Sequence, residues 1–126
     1  GKILCAIETA MSYLLRHEKS VVIQSEAGTD MPSVEEGIRN GAALGPDALF
    51  VVDVKTSAEL VAVIDAADGG ALVVLSVVAF GKELLKADLQ SRLGELFGNF
   101  CGLLRRVVWV DAAGDGGIGL DCVETL

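Results

Sequence analysis

The sequence predicts an α/β fold with a mainly parallel sheet, because strand-like and helix-like segments alternate along most of the chain. Short apolar runs that are typical of strands occur at 20–25, 48–54, 71–78 and 106–111. The run at 71–78, ALVVLSVV, shows no alternation of polar and apolar residues, as expected of a strand buried on both faces of a parallel sheet. The order α-β-α-β-α-β-α-β-β is that of a three-layer α/β domain.

The first predicted element is a helix over residues 3–16, where apolar residues recur at helical spacing. They are Ile3, Ile7, Ala10 and Leu14, with Leu4, Met11 and Leu15 beside them. The strand at 20–25 follows. Residues 82–104 repeat leucine and phenylalanine at the same helical spacing, so we predict another long helix there. At the carboxyl end, the turn AAGDGG between the strands 106–111 and 118–123 predicts an antiparallel hairpin at the sheet edge.

Two helix starts carry a capping box, in which a serine or threonine precedes a glutamate by three residues. They are Ser33 with Glu36 and Thr56 with Glu59. Glycines recur at every fourth residue in two predicted helices, as Gly37, Gly41 and Gly45 and as Gly94, Gly98 and Gly102. Close packing of the helices explains such spacing, and so does a bare helix face used for self-association.

The composition of the chain argues against several classes of protein. The chain has 126 residues, enough for a single domain over 1–126, and its net charge of −8 argues against a nucleic-acid partner. No run reaches the roughly 18 uninterrupted apolar residues that span a bilayer, and the start is not typical of a secretory signal. With three cysteines and one histidine, a zinc site or a Ser-His-Asp relay has few ligands to use. We therefore expect a cytoplasmic protein with reduced thiols.

Two acidic residues directly follow predicted strands. Glu26 comes after the strand at 20–25, and Asp53 ends the apolar run that begins at Ala48. Ligands bind at the carboxyl ends of the strands in open parallel sheets, so we expect both carboxylates to lie at that edge. They are the candidate catalytic residues.

The stretch from Pro46 to Ser76 resembles the Walker B region of the ATPases that drive type II secretion and pilus retraction. Six residues fall in register with that family without a gap: Pro46, Asp47, Asp53, Lys55, Glu59 and Gly70. The segment 34–39 resembles the helix before that strand, and the tail resembles the hairpin that ends the motor core. The resemblance implies a RecA-like P-loop NTPase core over 1–126, without the upstream strand and most of the phosphate loop.

The same resemblance suggests roles for residues at the start of the chain. Gly1 and Lys2, followed by a helix, look like the last two positions of a phosphate loop, which implies nucleotide binding. SVVIQSE looks like the strand that leads to the family's acidic box, with Glu26 at its glutamate. ATP and magnesium are the implied cofactors, and a homo-oligomer or a secretion or pilus assembly is the implied partner.

This sequence departs from the family pattern at the positions that carry charge or bind magnesium. The departures are Ile3 for a serine or threonine, Ala27 and Gly28 for aspartate and proline, Lys55 and Thr56 for an arginine–aspartate pair, and Val78 for the histidine. A family arginine-rich segment has no counterpart. Phosphoryl transfer depends on such charges. The pattern therefore predicts a degenerate motor domain with weak or no ATP hydrolysis that acts as a scaffold or regulator.

Two alternatives remain open. The first is a working ATPase whose phosphate loop lies outside this chain. The second is a receiver-like domain in which Asp53 accepts a phosphoryl group and Ser76 is the hydroxyl switch. A receiver needs an acidic pair after its first strand, for which the sequence offers only Glu26, and a lysine after its last parallel strand, which is missing.

Overall fold

The computed structural model describes residues 1–8, 18–112 and 118–123. The chain divides into two compact units, Gly1–Ala79 and Phe80–Leu126, which are considered separately below. The organisation of 1–126 as a single domain stays a prediction.

The first unit is built on a four-stranded parallel sheet in the order β2-β1-β3-β4. Its elements are β1 (Ile3–Glu8), β2 (Val21–Glu26), α1 (Val34–Ala43), β3 (Ala48–Val51), α2 (Ser57–Asp68) and β4 (Leu72–Leu75). The predicted α/β fold with a mainly parallel sheet is confirmed. Among the described elements of this unit, α1 and α2 pack against each other on one face of the sheet, so the predicted third layer stays a prediction.

The predicted helix over 3–16 is wrong for residues 3–8, which form the strand β1. Cys5 is paired with Ile23 of β2 on one side and with Leu49 of β3 on the other. Its neighbours Ala6 and Ile7, on opposite faces of the sheet, are also buried. A strand buried on both faces has an uninterrupted apolar sequence, which periodicity cannot distinguish from a buried helix. Residues 9–16 of the predicted helix lie outside the described residues.

Both predicted helix starts of the first unit are present. The Ser33 hydroxyl accepts a hydrogen bond of 3.2 Å from the backbone N–H of Glu36 at the start of α1. At the start of α2, Thr56 and Glu59 form the full reciprocal capping box. Because such caps satisfy backbone donors that the first helical turn leaves free, they fix where the two helices begin.

Two glycines of α1 let the helix approach the sheet closely. A Cβ added at Gly37 would overlap Sδ of Met31, and one added at Gly41 would lie 3.1 Å from Cδ1 of Leu49. At Gly98 and Gly102, in the second unit, no described atom outside the helix's own nearby backbone lies within 4 Å of an added Cβ. Close packing therefore accounts for the glycines of α1 and does not account for these two.

The second unit contains α3 (Lys82–Leu93), a 3-10 turn (Gly94–Leu96), α4 (Phe97–Leu103), β5 (Val107–Ala112) and β6 (Ile118–Val123). The predicted long helix over 82–104 is interrupted at Gly94, whose φ of 53° is left-handed. Strands β5 and β6 pair in antiparallel register and form a sheet of their own. The residues between them, 113–117, where the turn of the predicted hairpin falls, lie outside the described residues.

The packing of Gly37 yields a stability prediction with an internal control. We expect Gly37→Ala to lower the free energy of unfolding by about 1 kcal/mol or more, since overpacking against Met31 and Ile7 exceeds the gain in helix propensity. Gly98→Ala, in open space, should raise it by up to about 1 kcal/mol. Urea unfolding of both variants measures the difference. Shifts in the same direction would contradict the packing described for α1.

Candidate functional site

Three acidic residues lie at the carboxyl edge of the parallel sheet. Glu8 ends β1, Glu26 ends β2, and Asp53 follows β3 by two residues. Glu8 and Glu26 are register partners. Because the strands are parallel, these ends share one edge, which confirms the expectation that Glu26 and Asp53 lie on the same side of the sheet.

The strand order sets how far apart the strands that carry these residues lie. Since β1 lies between β2 and β3, Glu8 is one strand spacing from the strand of Asp53, or about 5 Å. Glu26 is two spacings away, about 10 Å. The structure therefore places Glu8, rather than Glu26, on the strand next to that of Asp53.

Glu8 was missed as a site residue because residues 3–8 were assigned to a helix. The signal was in the sequence, since Glu8 directly follows the apolar run ILCAI just as Glu26 and Asp53 follow theirs. Oε2 of Glu8 is buried and has no hydrogen-bond partner within the described part of the chain. A buried polar atom without a partner is uncommon in proteins and needs an explanation, of which a functional role is one.

Asp53 has an unusual backbone conformation. Its φ of 59° is left-handed, the only such value at a non-glycine residue within the described ranges. The Asp53 N–H donates a 2.8 Å hydrogen bond to Oγ of Ser76, and Oδ2 lies 3.0 Å from Nζ of Lys55. Strained conformations of this kind concentrate at functional sites. The backbone of Asp53 is therefore held by Ser76, and its carboxylate forms an ion pair with Lys55.

Glu26 is held by the loop that follows it. Its N–H donates to Oδ2 of Asp30 at 2.8 Å, and the Thr29 hydroxyl donates to its Oε1 at 3.2 Å. Gly28, with a φ of 85°, permits this tight turn. The Glu26 carboxylate is thus engaged in local hydrogen bonding, and its catalytic role stays a prediction.

The two residues predicted to bind nucleotide lie elsewhere. Gly1 and Lys2 precede β1, at the amino edge of the sheet, where Nζ of Lys2 is 3.8 Å from Oδ1 of Asp47. Oδ2 of Asp47 also accepts a 2.8 Å hydrogen bond from the N–H of Ile3. A phosphate loop leads into a helix, whereas these residues lead into a strand at the edge opposite Asp53. Their role stays a prediction that this geometry does not support.

The charges of the described carboxyl edge bear on what it could bind. Its three carboxylates would repel phosphate groups, and the described cation beside them, Lys55, already contacts Asp53. No group of three or more His, Cys, Asp or Glu residues within the described ranges is arranged to hold a metal ion. These residues alone provide neither a phosphate cradle nor a magnesium site.

A cavity of about 220 Å³ lies beside α1. It is lined by Cys5, Ile7, Ile23, Ser25, Asp30, Met31, Gly37, Asn40, Gly41 and Leu44. Burial raises the pKa of the Cys5 thiol, so the reactive thiolate form is disfavoured at neutral pH. Cys5 is therefore a packing residue rather than a nucleophile.

The chain is similar to solved structures of secretion and pilus ATPases. The ATPase DotB of Legionella pneumophila has a TM-score of 0.80 and 18% identity over 96% of this chain. The pilus retraction motor PilT, solved with bound ADP, has a TM-score of 0.76 and 21% identity over 96% of this chain. DotB of Yersinia pseudotuberculosis has a TM-score of 0.73 and 15% identity over 95% of this chain. The structural neighbours of this chain are thus secretion and pilus-retraction ATPases, as the Walker B resemblance predicts.

At these identities the similarity establishes the fold, which is RecA-like. The chain spans 36%, 37% and 34% of the three ATPase chains. No protein-family model and no curated protein sequence matches the chain. None of the helices in the described ranges has the length and apolar character needed to cross a membrane.

Strand order alone does not separate the ATPase-like and receiver-like hypotheses. The order β2-β1-β3-β4 also matches the beginning of the flavodoxin-like order 2-1-3-4-5. The similarity to the ATPases extends over almost the whole chain, including the second unit. It therefore favours the ATPase-like hypothesis.

Two substitutions at Asp53 separate the effect of its charge from that of its left-handed backbone conformation. Asp53→Asn and Asp53→Ala both remove the ion pair with Lys55, but asparagine tolerates a positive φ and alanine does not. We expect Asp53→Ala to lower the free energy of unfolding by about 1 kcal/mol more than Asp53→Asn. Chemical denaturation of the two variants measures this difference. Equal stabilities would show that residue 53 is not held in the left-handed region.

Proposed function

We propose that this chain is a degenerate motor ATPase-like domain that acts as a scaffold or regulator in a secretion or pilus assembly. The RecA-like fold and the similarity to DotB and PilT support the motor-like part of the proposal. The degenerate part rests on the carboxyl edge of the sheet, where the fold would bring catalytic groups together.

The observation that carries the proposal is the pairing of Asp53 with Lys55 at 3.0 Å. A carboxylate that acts in phosphoryl transfer must be available to magnesium or to the attacking water. Here Lys55 of the same loop forms an ion pair with Asp53. Lys55 and Thr56 stand where the family carries arginine and aspartate, and Val78 stands in place of the histidine. The chain thus retains the fold and lacks several charges that would stabilise the transition state.

A scaffold role needs a fold that the interactions of the chain itself hold together. The sheet is held by backbone ladders, by the caps of α1 and α2 and by a buried core that includes Ile38 and Leu49. We propose that the domain folds without ATP and takes its place among motor subunits, as a homo-oligomer or beside a related motor subunit.

The second candidate is a working ATPase whose phosphate loop lies outside this chain. The observation that favours it is Glu8, whose partly buried carboxylate lies at the end of the strand next to β3. In this case Glu8 or Asp53 would orient the attacking water, and ATP and magnesium would be held largely by residues outside this chain.

Calorimetric titration with magnesium-ATP tests the proposal. We expect no micromolar binding site, because the described edge carries three carboxylates and Lys55 beside them is paired with Asp53. A clear micromolar site would contradict the degenerate interpretation.

A phosphate-release assay distinguishes the two candidates when it includes the segment or subunit from which the second candidate takes its phosphate loop. For the degenerate domain, we expect the wild type, Glu8→Gln, Asp53→Asn and Lys2→Ala to share a flat baseline. A catalytic carboxylate contributes on the order of a hundredfold or more in rate. A measurable wild-type rate that falls by this factor in Glu8→Gln or Asp53→Asn would establish the working enzyme. Asp47→Asn, at the opposite edge of the sheet, is the matched control and should leave any such rate unchanged.

A further inference from the structure

The end of β3 contains an irregularity in its hydrogen bonding. The N–H of Val52 donates to the carbonyl oxygen of Ile7 at 3.0 Å, and the N–H of Val54 donates to that of Ser76 at 2.9 Å. Between them, the N–H of Asp53 donates to a side chain, Oγ of Ser76, at 2.8 Å. A side-chain hydroxyl therefore takes the place of a backbone acceptor at the residue whose φ is positive.

Ser76 holds this segment from both its backbone and its side chain. Its own N–H donates to the carbonyl oxygen of Val51 at 3.0 Å, its carbonyl oxygen accepts from Val54, and its hydroxyl accepts from Asp53. One residue just beyond β4 thus makes three hydrogen bonds to the end of β3. It is also the only polar residue in the run from Ala71 to Val78.

We propose that Ser76 is a positioning residue, whose hydroxyl keeps Asp53 in its left-handed conformation and so directs the Asp53 carboxylate toward Lys55. A left-handed conformation is unfavourable for an L-residue unless its surroundings hold it. On the other side of Asp53, Glu59 of the capping box fixes the segment, since its Oε2 also accepts a hydrogen bond of 2.6 Å from the N–H of Lys55. Asp53 lies between these two fixed points.

This inference rests on the proposed function only in assigning Asp53 to the functional edge. The left-handed conformation and its dependence on Ser76 are properties of the folded chain and need no ligand. A failure of the inference therefore leaves the degenerate-motor proposal intact, and a positive titration with magnesium-ATP leaves the inference intact.

Nuclear magnetic resonance on the wild-type chain provides the first test. A positive φ brings the amide proton and Hα of the same residue close together, so Asp53 should show a strong intraresidue cross-peak between them. Its amide should also exchange slowly with solvent, although it has no backbone acceptor. A weak cross-peak or an unprotected amide in the wild type would overturn the inference without any variant.

Variants of Ser76 then test the contribution of its hydroxyl group. In Ser76→Ala we expect the Asp53 amide to exchange about tenfold faster and its intraresidue cross-peak to weaken. Ser76→Thr retains the hydroxyl and should restore both. Ser33→Ala, which removes a comparable hydroxyl–amide bond at the start of α1, should leave Asp53 unchanged. Unchanged Asp53 signals in Ser76→Ala, or failure of threonine to rescue them, would show that Ser76 does not position Asp53.

Discussion

The central position of β1 is the constraint on which the first unit depends. This strand is hydrogen-bonded to β2 on one side and to β3 on the other, and its side chains are buried on both faces of the sheet. On one face of the sheet, Cys5 and Ile7 lie against the side of α1 that carries Gly37 and Gly41. At its end, Glu8 lies between the strands of Glu26 and Asp53. Without β1, neither the helix packing nor the carboxylate edge would form.

Most elements of the first unit could be predicted from the sequence because their signals are local. Capping residues fix the starts of α1 and α2, and short apolar runs mark β2, β3 and β4 within a few residues of their observed bounds. β1 could not be identified in this way. Its sequence ILCAIE is apolar on both faces, and only the tertiary structure decides between strand and helix. The same ambiguity concealed Glu8.

The chemistry of the edge was only partly accessible from sequence. Asp53 is identifiable because an acidic residue ends an apolar run, but its left-handed backbone and its bond to Ser76 depend on the register between β3 and the end of β4. The pairing of Lys55 with Asp53 depends on that backbone as well. Gly1 and Lys2 illustrate the opposite case. The short motif suggests a phosphate loop, which would lead into a helix, whereas residues 3–8 form a strand.

The position of residues 3–8 as an inner strand of a parallel sheet can be tested by cross-strand nuclear Overhauser contacts in the isotope-labelled chain. We expect backbone protons around Cys5 to contact those near both Ile23 and Leu49, with strong sequential contacts between Hα and the next amide along β1. Strong amide-to-amide contacts through residues 3–8, with no contacts to β2 and β3, would indicate a helix and would contradict the strand β1.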